Sequence, residues 1–384
     1  MANIKKLKLL NNIQFIYEIA LARLELQSFN SDLKVTNDFR EFEIEDDGNL
    51  NELKRRLAYF QTVNGDYSDY YYLQKYNQTK SVNQFLTHWI YPYKGKFHPQ
   101  MIRALMNIIK IKECETLLDP FVGSGTAVLE AQILGINGIG IDISPLCILI
   151  SKVKTESVGV IDEIKKFKDF YLFKKSGKEP NDERIRNFYK VAEMMAHSDQ
   201  SRRGRNFESS FVSDALKMIA SVEDYANAIK KHNLKIGKTQ ILEEDARKIP
   251  LKNDSVDGII TSPPYSIALN YVVNDAHSLK ALGYDLDKIK EDFIGVRGTG
   301  LNKFELYDND MEKAYCEMHR VLKKDKYCAV VIGNVTFQGQ EVNTTKNVVN
   351  YCEKIGFKTI KKIEKIIYGL YNVMQKEYIL IFQK

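Results

Sequence analysis

The stretch between residues 115 and 144 restricts the possible fold more than any other part of the chain. ETLLD predicts a strand, PFVGSG a glycine-rich turn, TAVLEAQILG a helix, and GIGIDIS a second strand. Strand, helix and strand in this order form a βαβ unit, which is typical of α/β proteins with a mostly parallel sheet.

The alternation of helices and strands extends on both sides of this unit. MIRALMNIIK predicts a helix before it; TQILEED and DGIITS predict later strands, followed by a helix in MEKAYCEMHRVLKK and a strand in YCAVVIGN. Near the C-terminus, IIYGLYNV and KEYILIFQK predict a closing antiparallel hairpin. We therefore expect a doubly wound α/β fold.

Two segments do not follow this alternation. Residues 1–85 begin with IKKLKLLNNIQFIYEIALARLELQ, whose apolar residues recur at helical spacing, so we expect a peripheral helical N-terminal extension. Residues 151–238 are Lys-rich and predict a helical insertion. The catalytic domain is then expected at 86–150 and 239–384.

Composition excludes several classes of protein. A chain of 384 residues with 44% hydrophobic content is long enough for a well-buried core, and no stretch approaches the roughly 18 apolar residues of a membrane span. The N-terminus MANIKKLKLL lacks the features of a signal peptide, so we expect a cytoplasmic protein. The five cysteines are scattered without CxxC spacing, and neither disulfides nor a metal site are expected.

The mild positive charge of the chain is concentrated in the insertion. Residues 151–238 hold 19 Lys and Arg against 13 Asp and Glu, which accounts for the whole net charge of +6. Its IKKFKDFYLFKK run interleaves lysines with aromatics, a pattern that suits phosphate contact and base stacking but equally a buried amphipathic helix. The candidate DNA-contacting residues here are Lys165, Lys166, Lys168, Arg202, Arg203 and Arg205.

The glycine-rich turn predicts a nucleoside-containing cofactor. DPFVGSGT joins a strand to a helix, where glycines permit close approach of a ligand to free backbone amides. Asp142 ends the next strand, where a carboxylate can accept hydrogen bonds from both ribose hydroxyls. No third glycine completes the dinucleotide fingerprint, so a pyrophosphate is not clearly indicated. Asp245, after a later strand, can receive an adenine amino group or simply close a turn.

TSPPY follows the predicted strand DGII and ends it abruptly. Two successive prolines lack N–H groups and hold the backbone extended, which leaves carbonyls free to accept hydrogen bonds. The Pro263 carbonyl and the Ser262 hydroxyl can each accept an N–H of an exocyclic amino group and direct its lone pair at an electrophile. Tyr265 can stack on a flipped base. A proline-terminated strand with a core tyrosine explains the segment equally well.

The segments DPFVGSGT, GIDIS, DARKIP and TSPPY, in this order, resemble the motifs of S-adenosylmethionine-dependent DNA amino-methyltransferases. Upstream, YPYKGKFHPQ is similar to the additional cofactor-contacting segment of that family. The resemblance covers about 86–150 and 239–384. It implies a Rossmann-like methyltransferase fold, S-adenosyl-L-methionine as cofactor, double-stranded DNA as partner, and a restriction-modification setting with a cognate restriction endonuclease. The S-P-P-Y form is associated with cytosine N4.

The resemblance also assigns roles to residues. It implies catalytic roles for Ser262, Pro263, Pro264 and Tyr265. Asp119, Phe121, Gly123 and Gly125 would face the methionine part of the cofactor, Asp142 its ribose, and Asp245 its adenine. Lys96, Phe97 and Pro99 would cover the cofactor. Tyr271 and Arg297 would lie near the base or phosphate, although a helix-face aromatic and an ordinary ion pair account for them equally well.

Several alternatives remain open. An adenine-N6 enzyme uses the same amino-group chemistry, and some RNA guanine-N2 methyltransferases combine similar loops. A cytosine-C5 enzyme is disfavoured because no cysteine follows a proline. From other classes, a DNA-binding subunit without catalysis would not need intact cofactor and SPPY segments, and a nicotinamide oxidoreductase would leave SPPY unexplained.

Overall fold

The computed structural model describes residues 4–29, 33–45, 48–167, 180–265, 271–298, 300–337, 340–366 and 376–384. Its strands are β1 (Ile4–Leu9), β2 (Leu33–Thr36), β3 (Glu41–Glu45), β4 (Phe60–Val63), β5 (Asp66–Tyr67), β6 (Thr116–Asp119), β7 (Asn137–Asp142), β8 (Thr239–Glu243), β9 (Val256–Thr261), β10 (Leu322–Gly333), β11 (Val335–Phe337), β12 (Gln340–Val342), β13 (Lys358–Ile366) and β14 (Lys376–Gln383).

The helices alternate with these strands. They are α1 (Ile16–Phe29), α2 (Leu50–Arg56), α3 (Asp69–Leu73), α4 (Pro99–Ile108), α5 (Thr126–Ile133), α6 (Pro145–Glu156), α7 (Ile161–Lys166), α8 (Glu183–Arg203), α9 (Phe207–Lys231), α10 (Tyr271–Asn274), α11 (Ala276–Ala281), α12 (Leu286–Asp292), α13 (Gly300–Val321) and α14 (Thr344–Lys354). In the ranges given above, no helix combines the length and apolar character needed to cross a membrane.

A seven-stranded sheet, in the order β13-β14-β10-β9-β6-β7-β8, is formed by strands that follow the N-terminal segment. Neighbours from β10 to β8 pair in parallel, whereas β14 is antiparallel to both β10 and β13. Strand β9 is buried along its whole length, as expected for a central strand. The predicted doubly wound α/β fold is confirmed.

The C-terminal pair of strands is antiparallel, as predicted, but its first strand lies earlier than expected. Strand β13 spans Lys358–Ile366 and pairs with β14, with Lys365 opposite Glu377. The predicted strand IIYGLYNV starts only at the last residue of β13, and its remainder, 367–373, lies outside the described residues.

The N-terminal segment is not the helical extension that the sequence suggested. It forms an antiparallel sheet in the order β2-β3-β1-β4-β5, with α1 to α3 beside it. The apolar spacing of IKKLKL fits a helix and a strand equally, but Leu7 and Leu9 are buried two residues apart, as in a strand. Lys6 faces Glu43 of β3, and this cross-strand ion pair favours the sheet.

This N-terminal unit, residues 4–73 of the described chain, is not peripheral either. Leu21 and Leu26 of α1 belong to the same core cluster as Met101 and Leu105 of α4, and this cluster continues to Leu117 in β6. The N-terminal unit and the seven-stranded sheet therefore share a hydrophobic core.

The insertion between β7 and β8 is helical, as predicted. Helices α8 and α9 begin at side-chain caps, Asp182 and Asn206, each of which accepts a backbone N–H of the first turn. Phe188 and Val222 from these helices are buried in one cluster with Ile150 of α6. The insertion thus packs on the helix that directly follows Asp142.

Candidate active site

The strand order reverses between β6 and β9, and the loops after these two strands border one cavity. From β6 the chain continues to β7 and β8 on one side, then returns to β9 on the other. Ligands of open parallel sheets bind at such a switch point, outside the carboxyl ends of the strands. The cavity here has a volume of about 590 Å³.

Most of the predicted site residues meet at this cavity. Those that line it are Lys96, Phe97, Pro99, Phe121, Gly123, Asp142, Asp245, Ser262, Pro264 and Tyr265. Asp119 and Pro263 are buried beside the lining residues, and Gly125 starts helix α5. Segments about 170 residues apart in sequence therefore contribute to one site.

The glycine-rich turn needs glycine at two positions. Gly125 caps α5 with φ of 78°, and a Cβ there would lie 2.9 Å from the Ser151 hydroxyl oxygen. Gly123 has φ of 50°, and its Cβ would lie 3.2 Å from the Tyr93 ring. Both positions favour glycine through backbone conformation and close contact.

Asp142 holds the glycine-rich turn as well as facing the cavity. Its two carboxylate oxygens accept the backbone N–H groups of Gly123 and Ser144, each at 2.9 Å. Burial raises the pKa of Asp142 to about 6, although these bonds oppose the rise. Each carboxylate oxygen can accept a further hydrogen bond, which fits the predicted ribose contact.

Asp119, buried beside the cavity lining, has one acceptor atom without a partner among the described residues. Its Oδ1 accepts the Thr261 hydroxyl at 2.7 Å and the Phe121 N–H at 3.2 Å. Oδ2 is buried and has no hydrogen-bond partner among the described residues. Burial, with a smaller contribution from the charge of Asp142, raises the pKa of Asp119 to about 7. A buried acceptor of this kind suits the ammonium group of an amino-acid moiety.

Two side chains of α6 also shape the turn, and the sequence reasoning missed both. The Ser151 hydroxyl donates to the Gly123 carbonyl at 3.1 Å, and the Lys154 ammonium donates to the Ser124 carbonyl at 2.8 Å. Lys154 is fully buried, and burial lowers its pKa well below the usual value. The i, i+3 spacing of the two residues on one helix face was the available signal.

Asp245 lines the cavity but already has a cationic partner. Both of its carboxylate oxygens accept hydrogen bonds from Arg247, the shortest at 2.7 Å. Arg247 also pairs with Asp310, which in turn binds Arg297. Two roles were expected for Arg297, a contact with base or phosphate and an ordinary ion pair. The structure shows the ion pair, with Asp310.

The SPPY segment lies where the sequence places it. Ser262 and Pro264 are half-buried at the cavity wall, directly after β9. The Tyr265 ring is only 8% exposed, and its hydroxyl donates to Glu377 of β14 at 2.7 Å. Glu377 also binds Lys365 of β13, and both residues line the cavity. No sequence motif marked this pair, because only the sheet topology brings the hairpin to the loop.

Those predicted DNA-contacting residues whose side chains the structure describes do not form one patch. The Tyr189 hydroxyl of α8 donates a hydrogen bond to the Ile164 carbonyl of α7. Lys165 and Lys166, which follow Ile164, therefore lie beside the first half of α8. Lys165 forms an ion pair with Glu223. Arg202 and Arg203 end α8, about 20 Å further along its axis.

Arg203 and Arg205 share Asp199 as partner, and the charge of Arg202 acts on Asp275 at the cavity. Lys168 lies outside the described residues, as does the side chain of Tyr271, whose backbone begins α10.

In the part of the chain that the structure describes, no group of three or more His, Cys, Asp or Glu side chains could hold a metal ion.

Comparisons with known proteins relate the chain to methyltransferases. The family described as RMKL-like, methyltransferase domain matches residues 90–282, about half of the chain. The type II methyltransferase M.MjaII of Methanocaldococcus jannaschii is 39% identical over 90 residues, which are 22% of this chain and 17% of that protein. The tRNA (guanine(10)-N2)-dimethyltransferase of the same organism is 32% identical over 78 residues, 20% of this chain and 22% of that protein.

These matches are partial. The aligned segments span less than a quarter of the length of each of these relatives. A crystal structure of a TehB-like SAM-dependent methyltransferase from Corynebacterium glutamicum aligns over 71% of this chain and 81% of its own, at 10% identity and a TM-score of 0.29. The order and directions of the strands are the evidence for the fold.

Proposed function

The chain belongs to the family of RMKL-like methyltransferase domains. We propose that it methylates the exocyclic N4 of cytosine in DNA. Its methyl donor is S-adenosyl-L-methionine. The proposal rests above all on one observation: Ser262, Pro264 and Tyr265 border the same cavity as Asp142. The likeness to a type II methyltransferase supports DNA as substrate. A restriction-modification setting with a partner endonuclease is part of this proposal and rests on the sequence resemblance alone.

The cofactor fits the residues of the cavity. Asp119 would hold its ammonium group through the buried Oδ2, and Asp142 would accept its ribose hydroxyls. Lys96, Phe97 and Pro99 form another part of the wall, where Phe97 can cover an apolar or ring surface of the ligand. When bound, S-adenosylmethionine supplies an electrophilic methyl group.

The chain's own residues would prepare the acceptor nitrogen. An exocyclic amino group is a weak nucleophile because its lone pair is delocalised into the ring. The Ser262 hydroxyl and the Pro263 carbonyl would each accept one of its N–H groups, which directs the lone pair towards the methyl group. Tyr265 would stack on a base flipped out of the helix. Neither a metal ion nor a covalent intermediate is required.

The test of this function is mass spectrometry of nucleosides from DNA incubated with the protein and methyl-labelled S-adenosylmethionine. We expect labelled 4-methylcytosine. Labelled 6-methyladenine would keep the chemistry and overturn the choice of base.

The likeness to a tRNA guanine-N2 enzyme favours a second candidate, guanine N2 in RNA. The same experiment with transfer RNA tests it, and labelled 2-methylguanosine in place of a DNA product would overturn DNA as the substrate.

Binding of S-adenosylmethionine is expected to weaken on acidification. The pKa of Asp119 is about 7, so below pH 7 this carboxylate becomes protonated and loses its attraction for an ammonium group. We expect the affinity to fall by about tenfold per pH unit between pH 7 and 5.5. Calorimetric titrations across this pH range measure the affinity.

The Asp119→Asn variant should bind S-adenosylmethionine more weakly than the wild type at every pH in this range. Its affinity should begin to fall only near the pKa of Asp142, about 6. A flat wild-type profile would contradict this role of Asp119.

The arginines at the end of α8 are expected to contribute more to DNA binding than the lysines of α7. Replacing Arg202, Arg203 and Arg205 by Gln should weaken DNA binding at least tenfold and reduce its salt dependence, because Arg202 acts at the cavity. Replacing Lys165 and Lys166 by Gln should change little. Fluorescence anisotropy at several salt concentrations compares the two variants. Equal losses would contradict a DNA path past the end of α8.

A further inference from the structure

A carboxylate from the C-terminal hairpin reaches the proposed catalytic loop. Glu377 of β14 lies opposite Gly333 of β10 and opposite Lys365 of β13. Its Oε1 accepts the Tyr265 hydroxyl at 2.7 Å, and its Oε2 binds the Lys365 ammonium. The carboxylate is therefore bound by Lys365 on one side and by the tyrosine of SPPY on the other.

We propose that Glu377, held by Lys365, is a positioning residue that sets the orientation of the Tyr265 ring against the acceptor base. This inference rests on the proposed function, because it assigns the means by which the SPPY loop keeps its stacking residue in place.

Burial makes this hydrogen bond an effective constraint. Glu377 is 7% exposed and Tyr265 8%, so water has little access to compete for the carboxylate. A hydrogen bond to a charged group is stronger than one between neutral groups. Tyr265 also belongs to the core cluster that contains Ile259 and Tyr378. With both the ring and its hydroxyl held, Tyr265 presents a fixed surface to the cavity.

The charges at this end of the cavity suit an uncharged ligand. Lys365 compensates Glu377, and their side chains are 20% and 10% exposed. Burial, with the nearby charge of Lys365, lowers the pKa of His98 to about 4, so this lining residue is neutral at pH 7. The three groups therefore carry no net charge, as the surroundings of a nucleobase require.

The same hairpin contains a matched control pair. Lys376 and Glu364 lie 3.5 Å apart, and their side chains are about half exposed. Neither residue borders the cavity. If Glu377 only stabilised the hairpin, Glu377→Leu would differ from Glu364→Gln in stability and not in the rate of methyl transfer.

The test combines three single variants and one double variant with Glu364→Gln as control. We expect Glu377→Leu to lower the single-turnover rate of methyl transfer about tenfold, and Tyr265→Phe to lower it equally. Glu377→Gln should stay near the wild-type rate, because the amide oxygen still accepts the hydroxyl. The Leu and Phe changes together should cost no more than either alone, since both remove one bond. The affinity for S-adenosylmethionine should stay within twofold.

A double variant whose rate falls by the product of the two single losses would overturn the proposal. A Glu377→Gln variant as slow as Glu377→Leu would overturn it as well.

A structural measurement tests the positioning role of Glu377 separately from the proposed function. With 3-fluorotyrosine at position 265, the ¹⁹F resonance should move in Glu377→Leu and stay in place in Glu364→Gln. If the wild type methylates no polynucleotide, the proposed function fails, while the resonance still tests the bond. A resonance that does not respond to Glu377→Leu overturns the positioning role.

Discussion

The Asp142→Ala variant is expected to bind S-adenosylmethionine about a hundredfold more weakly than the wild type. The change removes the acceptor of the Gly123 and Ser144 N–H groups and the proposed ribose contact together. Hydrogen bonds to a charged group contribute about 1.5–3 kcal/mol each, and about 2.7 kcal/mol corresponds to a hundredfold change in affinity. Isothermal titration calorimetry measures the loss directly.

Glu243→Ala is the matched control for this variant. Glu243 occupies the same register on the neighbouring strand β8, but its side chain is exposed and does not border the cavity. Its replacement should leave the affinity unchanged. An Asp142→Ala protein that binds the cofactor as tightly as the wild type would refute the assignment of the cofactor to this cavity.

The second large effect is expected from Arg103→Met, on stability. Arg103 is fully buried in α4, where its Nε donates to Glu130 at 2.7 Å and its guanidinium lies 4.8 Å from the centre of the Tyr70 ring. Glu130 also bonds His88 at 2.8 Å. Removing the cation leaves a buried carboxylate without its charge partner, which costs about 3–5 kcal/mol.

Chemical denaturation followed by circular dichroism measures this loss of unfolding free energy. The matched control is Lys75→Met, which removes an exposed cation 4.2 Å from the centre of the Tyr71 ring. That variant should unfold at the wild-type denaturant concentration. If Arg103→Met did so as well, the buried network would not couple α4 to the N-terminal unit.

The sequence predicted the site best where residues with a proposed chemical role lie at the end of a strand. Asp142 and the SPPY segment both follow apolar runs, so the parallel order of the strands placed them at one edge of the sheet. Strand β1 shows the opposite case. The spacing of its apolar residues fits both a helix and a strand. Only the pairing with β3, where Glu43 lies opposite Lys6, makes this segment a strand.

The contacts that the sequence did not predict all depend on tertiary placement. Glu377 reaches Tyr265 because β14 lies next to β10, and Lys154 reaches the glycine-rich turn because α6 packs across it. The basic residues of the insertion look like one group along the chain, yet α8 separates Lys165 from Arg202. Local patterns contain no information about such distances.

The position of the helical insertion also has a consequence for the order of folding. Strands β7 and β8 are parallel neighbours, with Asp142 opposite Glu243, but the whole insertion lies between them in sequence. Pairing across so long a connection is slow if the connection is a flexible coil, because the ends must meet by chance. Helices α6 to α9 contribute most of one hydrophobic cluster, which also includes residues of 90–91 and 272–293, and once packed they shorten that search. Edge strand β8 is therefore expected to join the sheet after the insertion has collapsed, which makes the insertion a guide for folding independently of any contact with DNA.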